Sequence, residues 1–411
     1  MKKSKYSPNF RKCLKVLLVL LILLSTIPGC AQRQDNFLSV FEAHTGAENA
    51  NSDTPEVTPL PSSTSTAQPL AAAEASNISS GTLIFCDHSG VYTYDVQSDT
   101  LKILDQDGDK IYEDVTLVDE TLYFLRTTES YIGFGQNEIY QIDLDGTDLT
   151  RVTYDEVWES SLSASPDNTR LAFTQDTEAS TNRYQLLIMN LENRLYEVVA
   201  TKNESNIRFP LWSPDGKKIA FFEGDDSEHP VRLYLYDFIS REIIELLPEE
   251  TLPMAPISWS PDMTHLAIGV IVDEQPGIYS FNVDSQELTK LTATDEIPEN
   301  IQWSPDGKYI LFEYSYYASL NRKAAGLFIL DTDSRQLITV KKGGIDGSFY
   351  TYQARWSPDG KYVEFIYNYQ DDAWKIKLIE VENGKAYDLI LPSPYDTSLE
   401  SWIFLSDNSE P

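Results

Sequence analysis

Ten residues recur along this chain. The stretch "WSPDGKYILF" from Trp303 to Phe312 returns as "WSPDGKKIAF" from Trp212, "WSPDMTHLAI" from Trp259 and "WSPDGKYVEF" from Trp356, with a weaker copy, "ASPDNTRLAF", from Ala164. A sequence that repeats one short motif builds one structural unit several times. The marker prolines Pro166, Pro214, Pro261, Pro305 and Pro358 stand 44 to 53 residues apart, which is the spacing of propeller blades.

The motif has a mechanical reading. Proline presets the backbone at the second position of a tight turn, aspartate bonds its own nearby backbone, and glycine accepts the positive φ that closes it. "SPDG" therefore predicts a hairpin between the first and second strands of each unit. The residues that follow, such as Ile310, Leu311 and Phe312, are apolar without alternation, as suits a sheet covered on both faces. The unit from Ile301 divides into four such pieces, "IQWS", "KYILFEY", "GLFILDT" and "QLITVK". Four strands per period make one blade, and the tryptophans before each turn are expected to pack between blades.

Units with a recognisable first strand begin near Val115, Ser160, Ile207, Pro256, Glu299 and Tyr352. The segment from Gly81 to Leu104 holds a second, third and fourth strand but no first, whereas "LESWIFLSDN" from Leu399 reads as a lone first strand, with Trp402 in the tryptophan place. The expected fold is all-β: a single propeller of four-stranded blades, seven in number and closed by the C-terminal strand, with six as the alternative count. Closure of this kind removes exposed sheet edges.

The motif "WSPDGKxIxF", followed by strands such as "EIYQIDLDGTDLTRVT" from Glu138, resembles the TolB-type propeller repeat of bacterial envelope proteins. The resemblance covers residues 81 to 405. It implies the fold and leaves the function open, because the repeated residues build the hairpin and the core. Two departures from TolB stand out: a spacer takes the place of its additional N-terminal domain, and seven blades are expected where TolB has six. A role in the Tol system is not implied.

Residues 1–29 carry six Lys or Arg and no acid, with the apolar run "VLLVLLILL" from Val16. That pattern reads as a secretory signal, too short to span a bilayer comfortably. "STIPGC" resembles the lipobox of bacterial lipoproteins, in which Cys30 would receive diacylglycerol and become the new N-terminus; Pro28 departs from that motif. An uncleaved anchor and plain secretion are the alternatives. Residues 30–80, rich in Ser, Thr, Ala and Pro, cannot bury enough surface to offset their ordering and read as a disordered spacer. The propeller is expected to occupy residues 81–411. Cys13 leaves with the signal and Cys30 is modified, so Cys86 in "GTLIFCD" is the remaining thiol; it reads as a small buried hydrophobe, and no intramolecular disulfide is expected.

The full chain has 32 Lys and Arg against 64 Asp and Glu, a net charge of −32, and losing the signal makes it more negative. Such a surface repels phosphate and argues against a nucleic-acid partner. Loops joining strands two to three, and strand four to the next blade, share one face of a propeller. Here they include "RTTESYIGFGQNE", "YSYYASLNRKAAG" and "NYQDDAW". The binding-face candidates are the aromatics Tyr131, Phe134, Tyr316, Tyr317, Tyr369 and Trp374, with Asp225, Asp226, Asp371 and Asp372 as charge complement. The bland alternative is an acidic protein with polar loops.

In "DQDGDKIYED", Asp105, Asp107, Asp109 and Glu113 fall at positions one, three, five and nine. The spacing suits a calcium loop weakly, since no Glu closes it at twelve; a solvated turn between blades is the favoured reading, and no other metal or cofactor is expected. No G-x-S-x-G elbow occurs, and the chain stops where a prolyl oligopeptidase would begin its hydrolase domain. Four isolated histidines make no site. The expectation is a monomeric, exported, lipid-anchored module that recognises a protein, a peptide or a cell-wall glycan. A propeller hydrolase or lyase acting on polysaccharide or peptide, or a structural scaffold, are the rivals.

Overall fold

The computed structural model describes residues 81–128, 136–154, 157–176, 184–200, 206–224, 231–247, 252–273, 275–294, 298, 300–314, 326–342, 350–368, 375–390 and 401–405, together with two short strands, Gln68–Pro69 and Ser76–Asn77. Every regular element among them is a strand.

The described strands form seven sheets, each a four-stranded antiparallel meander, two of which gain a fifth, parallel strand. From inner to outer strand, blade 2 is Tyr112–Val118, Thr121–Thr127, Asn137–Asp143 and Thr150–Arg151. Blade 3 is Glu159–Ala164, Arg170–Asp176, Tyr184–Asn190 and Tyr196–Ala200; blade 4 is Ile207–Trp212, Lys218–Glu223, Arg232–Asp237 and Ile243–Glu245. Blade 5 is Leu252–Trp259, His265–Val272, Gln275–Asn282 and Leu288–Ala293; blade 6 is Asn300–Trp303, Tyr309–Tyr314, Gly326–Asp331 and Leu337–Lys342. Blade 7 is Tyr350–Trp356, Tyr362–Asn368, Lys375–Glu380 and Ala386–Ile390.

Blade 1 is built from both ends of the propeller. Ser401–Leu405 is its inner strand and pairs antiparallel with Thr82–Asp87, setting Trp402 opposite Phe85; Gly90–Asp95 and Thr100–Gln106 complete the sheet. The expected closure by a C-terminal strand and the count of seven both hold. One apolar cluster fills each seam, and the seam between blades 7 and 1 joins Leu83, Phe85 and Tyr92 to Ile366, Ile376 and Leu378. The clusters explain the unbroken apolar runs, since each blade is buried on two sides by its neighbours.

The tryptophans lie in those seams. Trp212 packs between blades 3 and 4, Trp259 between 4 and 5, and Trp356 between 6 and 7, while the partly buried Trp303 packs between 5 and 6. Two of them also reach back across the seam: Trp212 Nε1 donates to the Ser163 carbonyl (3.0 Å) and Trp356 Nε1 to the Gln302 carbonyl (3.2 Å).

The turns repeat to a tenth of an ångström. In blade 4, Asp215 Oδ1 accepts from the Ser213 hydroxyl (2.7 Å) and the Lys217 amide (3.1 Å), and Ser213 Oγ accepts from the Lys218 amide (2.9 Å). Ser304 and Asp306 do the same in blade 6. The serine, to which the sequence reading gave no role, is thus as much a part of the lock as the aspartate. The fourth turn position is left-handed whatever stands there: Gly216, Gly307 and Gly360, but also Asn168 and Met263.

The segment read as spacer ends in structure. Gln68–Pro69 adds to the outer edge of blade 6 and Ser76–Asn77 to that of blade 7. Backbone pairing at an open sheet edge needs no particular side chain, so composition did not reveal it.

Candidate recognition face

Strand one of each blade descends from the loop face to the "SPDG" hairpins, so the two–three and four–one connections gather at the opposite end of the ring from the hairpins. Tyr131, Phe134, Asp225, Asp226, Tyr316, Tyr317, Tyr369, Asp371, Asp372 and Trp374 belong to these connections; like Cys30 and His229, they lie outside the described residues. The described parts of this end are the inner strands and the strand ends that support the loops.

Inner strands of blades 2, 3, 4, 5 and 7 carry a register shift near their start. In blades 2, 3 and 4 the third strand residue is left-handed: Asp114 (φ 43°), Ser161 (φ 58°) and Phe209 (φ 55°). Asp114 uses the bulge to tie the ring, its Oδ2 accepting from the Leu162 amide of blade 3 (3.3 Å). The matching residue of blade 6, Asn300, donates to the Ala354 carbonyl of blade 7, joined there by Gln302 (3.0 Å). Phe209 can make no such tie. Its side chain is 58% exposed and touches Phe222 edge-on, 6.5 Å between ring centres. Left-handed backbone at a residue with a Cβ costs on the order of 1–2 kcal/mol, and in blade 4 it sets an exposed aromatic at the bulge position. Sequence reasoning passed over Phe209; the one signal available was an aromatic where blades 2, 3, 6 and 7 have a polar residue, Asp114, Ser161, Asn300 and Gln353.

Buried charge concentrates where blades 2 and 3 meet at the same end. The fully buried Glu138 pairs with Arg151 (2.6 Å). Glu159 Oε2 accepts from the Ile139 amide (3.0 Å) and the Thr153 hydroxyl (2.7 Å). Glu113 accepts from Asn137 (2.9 Å). Tyr184 has its hydroxyl pushed up to about 12 by burial, helped by the negative charge of Asp176 and Glu113. Carboxylates in an otherwise apolar strand, as in "EIYQIDL", were the legible sign of this network. Removing charge from water requires such partners.

In "DQDGDKIYED", the carboxylates of Asp105, Asp107 and Glu113 have partners within the chain. Arg126 bridges Asp105 (3.0 Å) and Asp107 (3.2 Å), with its guanidinium over the rings of Tyr112 and Tyr140. Tyr112 donates to Asp105 (3.0 Å), and Asp107 accepts from the Asp109 amide (3.0 Å). That amide, with Arg126, holds the Asp107 carboxyl below the usual carboxylate range. The segment is thus a clamp between blades 1 and 2. Among the described residues no group of three or more His, Cys, Asp or Glu could hold a metal. His265 lies in the hairpin of blade 5, bonded to Thr264 (2.6 Å) and Asn282 (3.2 Å). Cys86 is buried and carries no disulfide.

These features define a seven-bladed propeller whose loop end is held by inner-strand ties and buried ion pairs. The chain belongs to the TolB beta propeller domain family, whose pattern it matches over residues 168–402. It is 28% identical over 123 residues to the Tol-Pal system protein TolB of Alcanivorax borkumensis, a match covering 29% of this chain and 27% of that protein. Among solved structures it resembles a prolyl endopeptidase (TM-score 0.57, 10% identity, covering 96% of this chain and 59% of that one). It also resembles an oligogalacturonate lyase solved with manganese (TM-score 0.54, 14% identity, 78% and 83% covered). At such identities the likeness is one of fold alone.

Proposed function

We propose that the protein is an exported, lipid-anchored envelope module whose propeller recognises a protein partner through its loop end, without catalysis. The observation that carries this reading is Phe209: an exposed aromatic in left-handed backbone on an inner strand, at a position used elsewhere to tie the ring. Residues held in sparsely populated backbone regions cluster at binding sites. Support also comes from the sequence likeness to a Tol-Pal system protein, and from the signal and "STIPGC" at Cys30. The loop aromatics Tyr316, Tyr317 and Trp374 would extend the contact outward, with Asp371 and Asp372 favouring a basic partner.

The test is capture from detergent-solubilised envelope by the full-length chain, beside a variant carrying alanine at Tyr316, Tyr317, Asp371, Asp372 and Trp374, and a second variant, Phe209→Gly. Both variants are first checked for native folding. A protein retained by the native chain and lost with either variant supports recognition at this end. Equal capture by all three overturns it, and turnover of peptides or polysaccharides by the native chain would replace it with the enzyme reading.

A further inference from the structure

The outer side of each fourth strand is an open sheet edge, whose unpaired backbone groups invite another strand. Among the described residues most of these edges are guarded. Gln68–Pro69 covers that of blade 6 and Ser76–Asn77 that of blade 7. The outer strands of blades 1 and 5 each carry an exposed lysine, Lys102 and Lys290, and that of blade 2 is only two residues long. Charge and shortness both oppose pairing. Blades 3 and 4 have neither cover nor lysine, and their strands are longer. Their rims hold six of the eleven large apolar residues that are exposed: Leu195, Tyr196 and Val198 on blade 3, and Ile239, Ile243 and Ile244 on blade 4.

The edge of blade 4 is also complementary to itself. Its outer strand, Ile243–Glu245, pairs with Arg232–Asp237 on one side, and with its flank it reads "REIIE" from Arg241. Ile243 and Ile244 are 44% and 40% exposed and point to opposite faces of the sheet. Arg241 is exposed and forms no ion pair among the described residues. Two copies laid edge to edge and antiparallel can pair about Ile243, which sets Arg241 of each copy across from Glu245 of the other. A shift of one residue would instead place Glu242 across from Glu245, and like charges directly opposite are destabilising. Glu245 already accepts from Arg232 at 2.8 Å, but a carboxylate has lone pairs for a second donor.

We propose that the outer edge of blade 4 binds a second copy of this chain, the two fourth strands pairing antiparallel about Ile243 to make one continuous sheet of two blades. Such a contact is isologous: one patch supplies both the charges and their complements, which is why the occupant is the chain itself. Its two-fold axis stands perpendicular to the joined sheet, so the rim of blade 3 in one copy faces the same rim in the other. Leu195, 70% exposed, and its neighbours Tyr196 and Val198 then lose apolar surface to water in the same contact. The sequence led to the expectation of a monomer; this inference replaces it and does not depend on recognition at the loop end.

Sedimentation equilibrium of the full-length protein in density-matched detergent tests the pair. A dimer that grows with protein concentration is expected. Ile243→Lys sets two like charges at the two-fold axis, while Arg241→Glu and Glu245→Arg each turn both cross-pairs repulsive; each variant should weaken dimerisation by about tenfold or more. Mixing Arg241→Glu protein with Glu245→Arg protein restores opposite charges at both contacts, so the mixture should dimerise about tenfold more tightly than either variant alone. Thermal unfolding first shows that each variant keeps its fold. A native chain that stays monomeric overturns the proposal, as does a dimer that Ile243→Lys leaves intact, or a mixture no tighter than its parts. A native monomer whose Ile243→Cys variant cross-links to a different envelope protein also overturns it and assigns the edge to that protein.

Discussion

Trp212 on blade 4 donates its indole hydrogen to the carbonyl of Ser163 on blade 3 at 3.0 Å, while Arg170 of blade 3 stacks over the same indole at 4.6 Å. One side chain thus joins packing, hydrogen bonding and a cation–π contact at one seam. Trp212→Phe keeps most of the apolar contact and is expected to cost about 1–2 kcal/mol, whereas Trp212→Ala should cost about 3–5 kcal/mol. Denaturant midpoints at constant m-value measure both. A Phe variant as unstable as the Ala variant would mean that the polar contacts dominate.

Met263 occupies the left-handed turn position (φ 63°) that glycine fills in blades 4, 6 and 7. Met263→Gly should raise stability by about 0.5–1 kcal/mol, and Gly307→Ala at the matching position should lower it by about 1 kcal/mol. Pro261 Cδ lies 3.6 Å from a Cβ built on Gly307, an ordinary contact, so backbone strain alone sets the second effect. Thermal unfolding of both variants decides the matter.

Glu364 is fully buried on the second strand of blade 7 and pairs with Arg355 on the inner strand at 3.1 Å. Burial pushes the Glu364 carboxyl up while Arg355 pulls it down. Removing Glu364 takes this carboxylate from the buried Arg355, so Glu364→Ala should destabilise by roughly 3 kcal/mol or more. Arg355→Met with Glu364→Leu is expected to recover most of that loss. A double variant no better than the single one would show that space, not charge, was the problem.

The turn aspartates link stability to acid. Burial pushes the Asp167 carboxyl up, but the Ser165 and Thr169 hydroxyls, the Thr169 amide and Arg170 outweigh it and hold the group at about 2. Asp215, Asp262, Asp306 and Asp359 are lowered in the same way. A carboxyl depressed on folding contributes its full stability above the unfolded value of about 4 and loses it as pH falls through the folded value. Unfolding free energy should therefore decline between about pH 4 and pH 2. Asp215→Asn should flatten that decline while lowering stability at neutral pH.

Phe209 should trade stability against binding. Phe209→Gly relieves the left-handed backbone and gives up little buried surface, so a gain of about 0.5–1 kcal/mol is expected together with loss of the captured partner. A variant that is less stable and still binds would assign Phe209 a purely internal role.

By itself the sequence determined the repeat, the strand order within each blade and the place of the tryptophans. All three rest on local chemistry: a turn that only certain residues close, and apolar runs of a length that only a sheet covered on both faces accepts. Trp402, standing alone after Leu399 without a second strand, even told which blade was shared between the two ends. The sequence also marked the "DQDGDKIYED" carboxylates but not their use, because Arg126 lies 13 residues beyond Glu113 and reaches them only after the chain has folded back. The left-handed bulge at Phe209, the tie from Asp114 to Leu162 and the pairing of Gln68–Pro69 and Ser76–Asn77 were decided in the tertiary structure alone. Each depends on backbone brought alongside from another blade, and an amide or a carbonyl carries no residue signature from which its partner could be read.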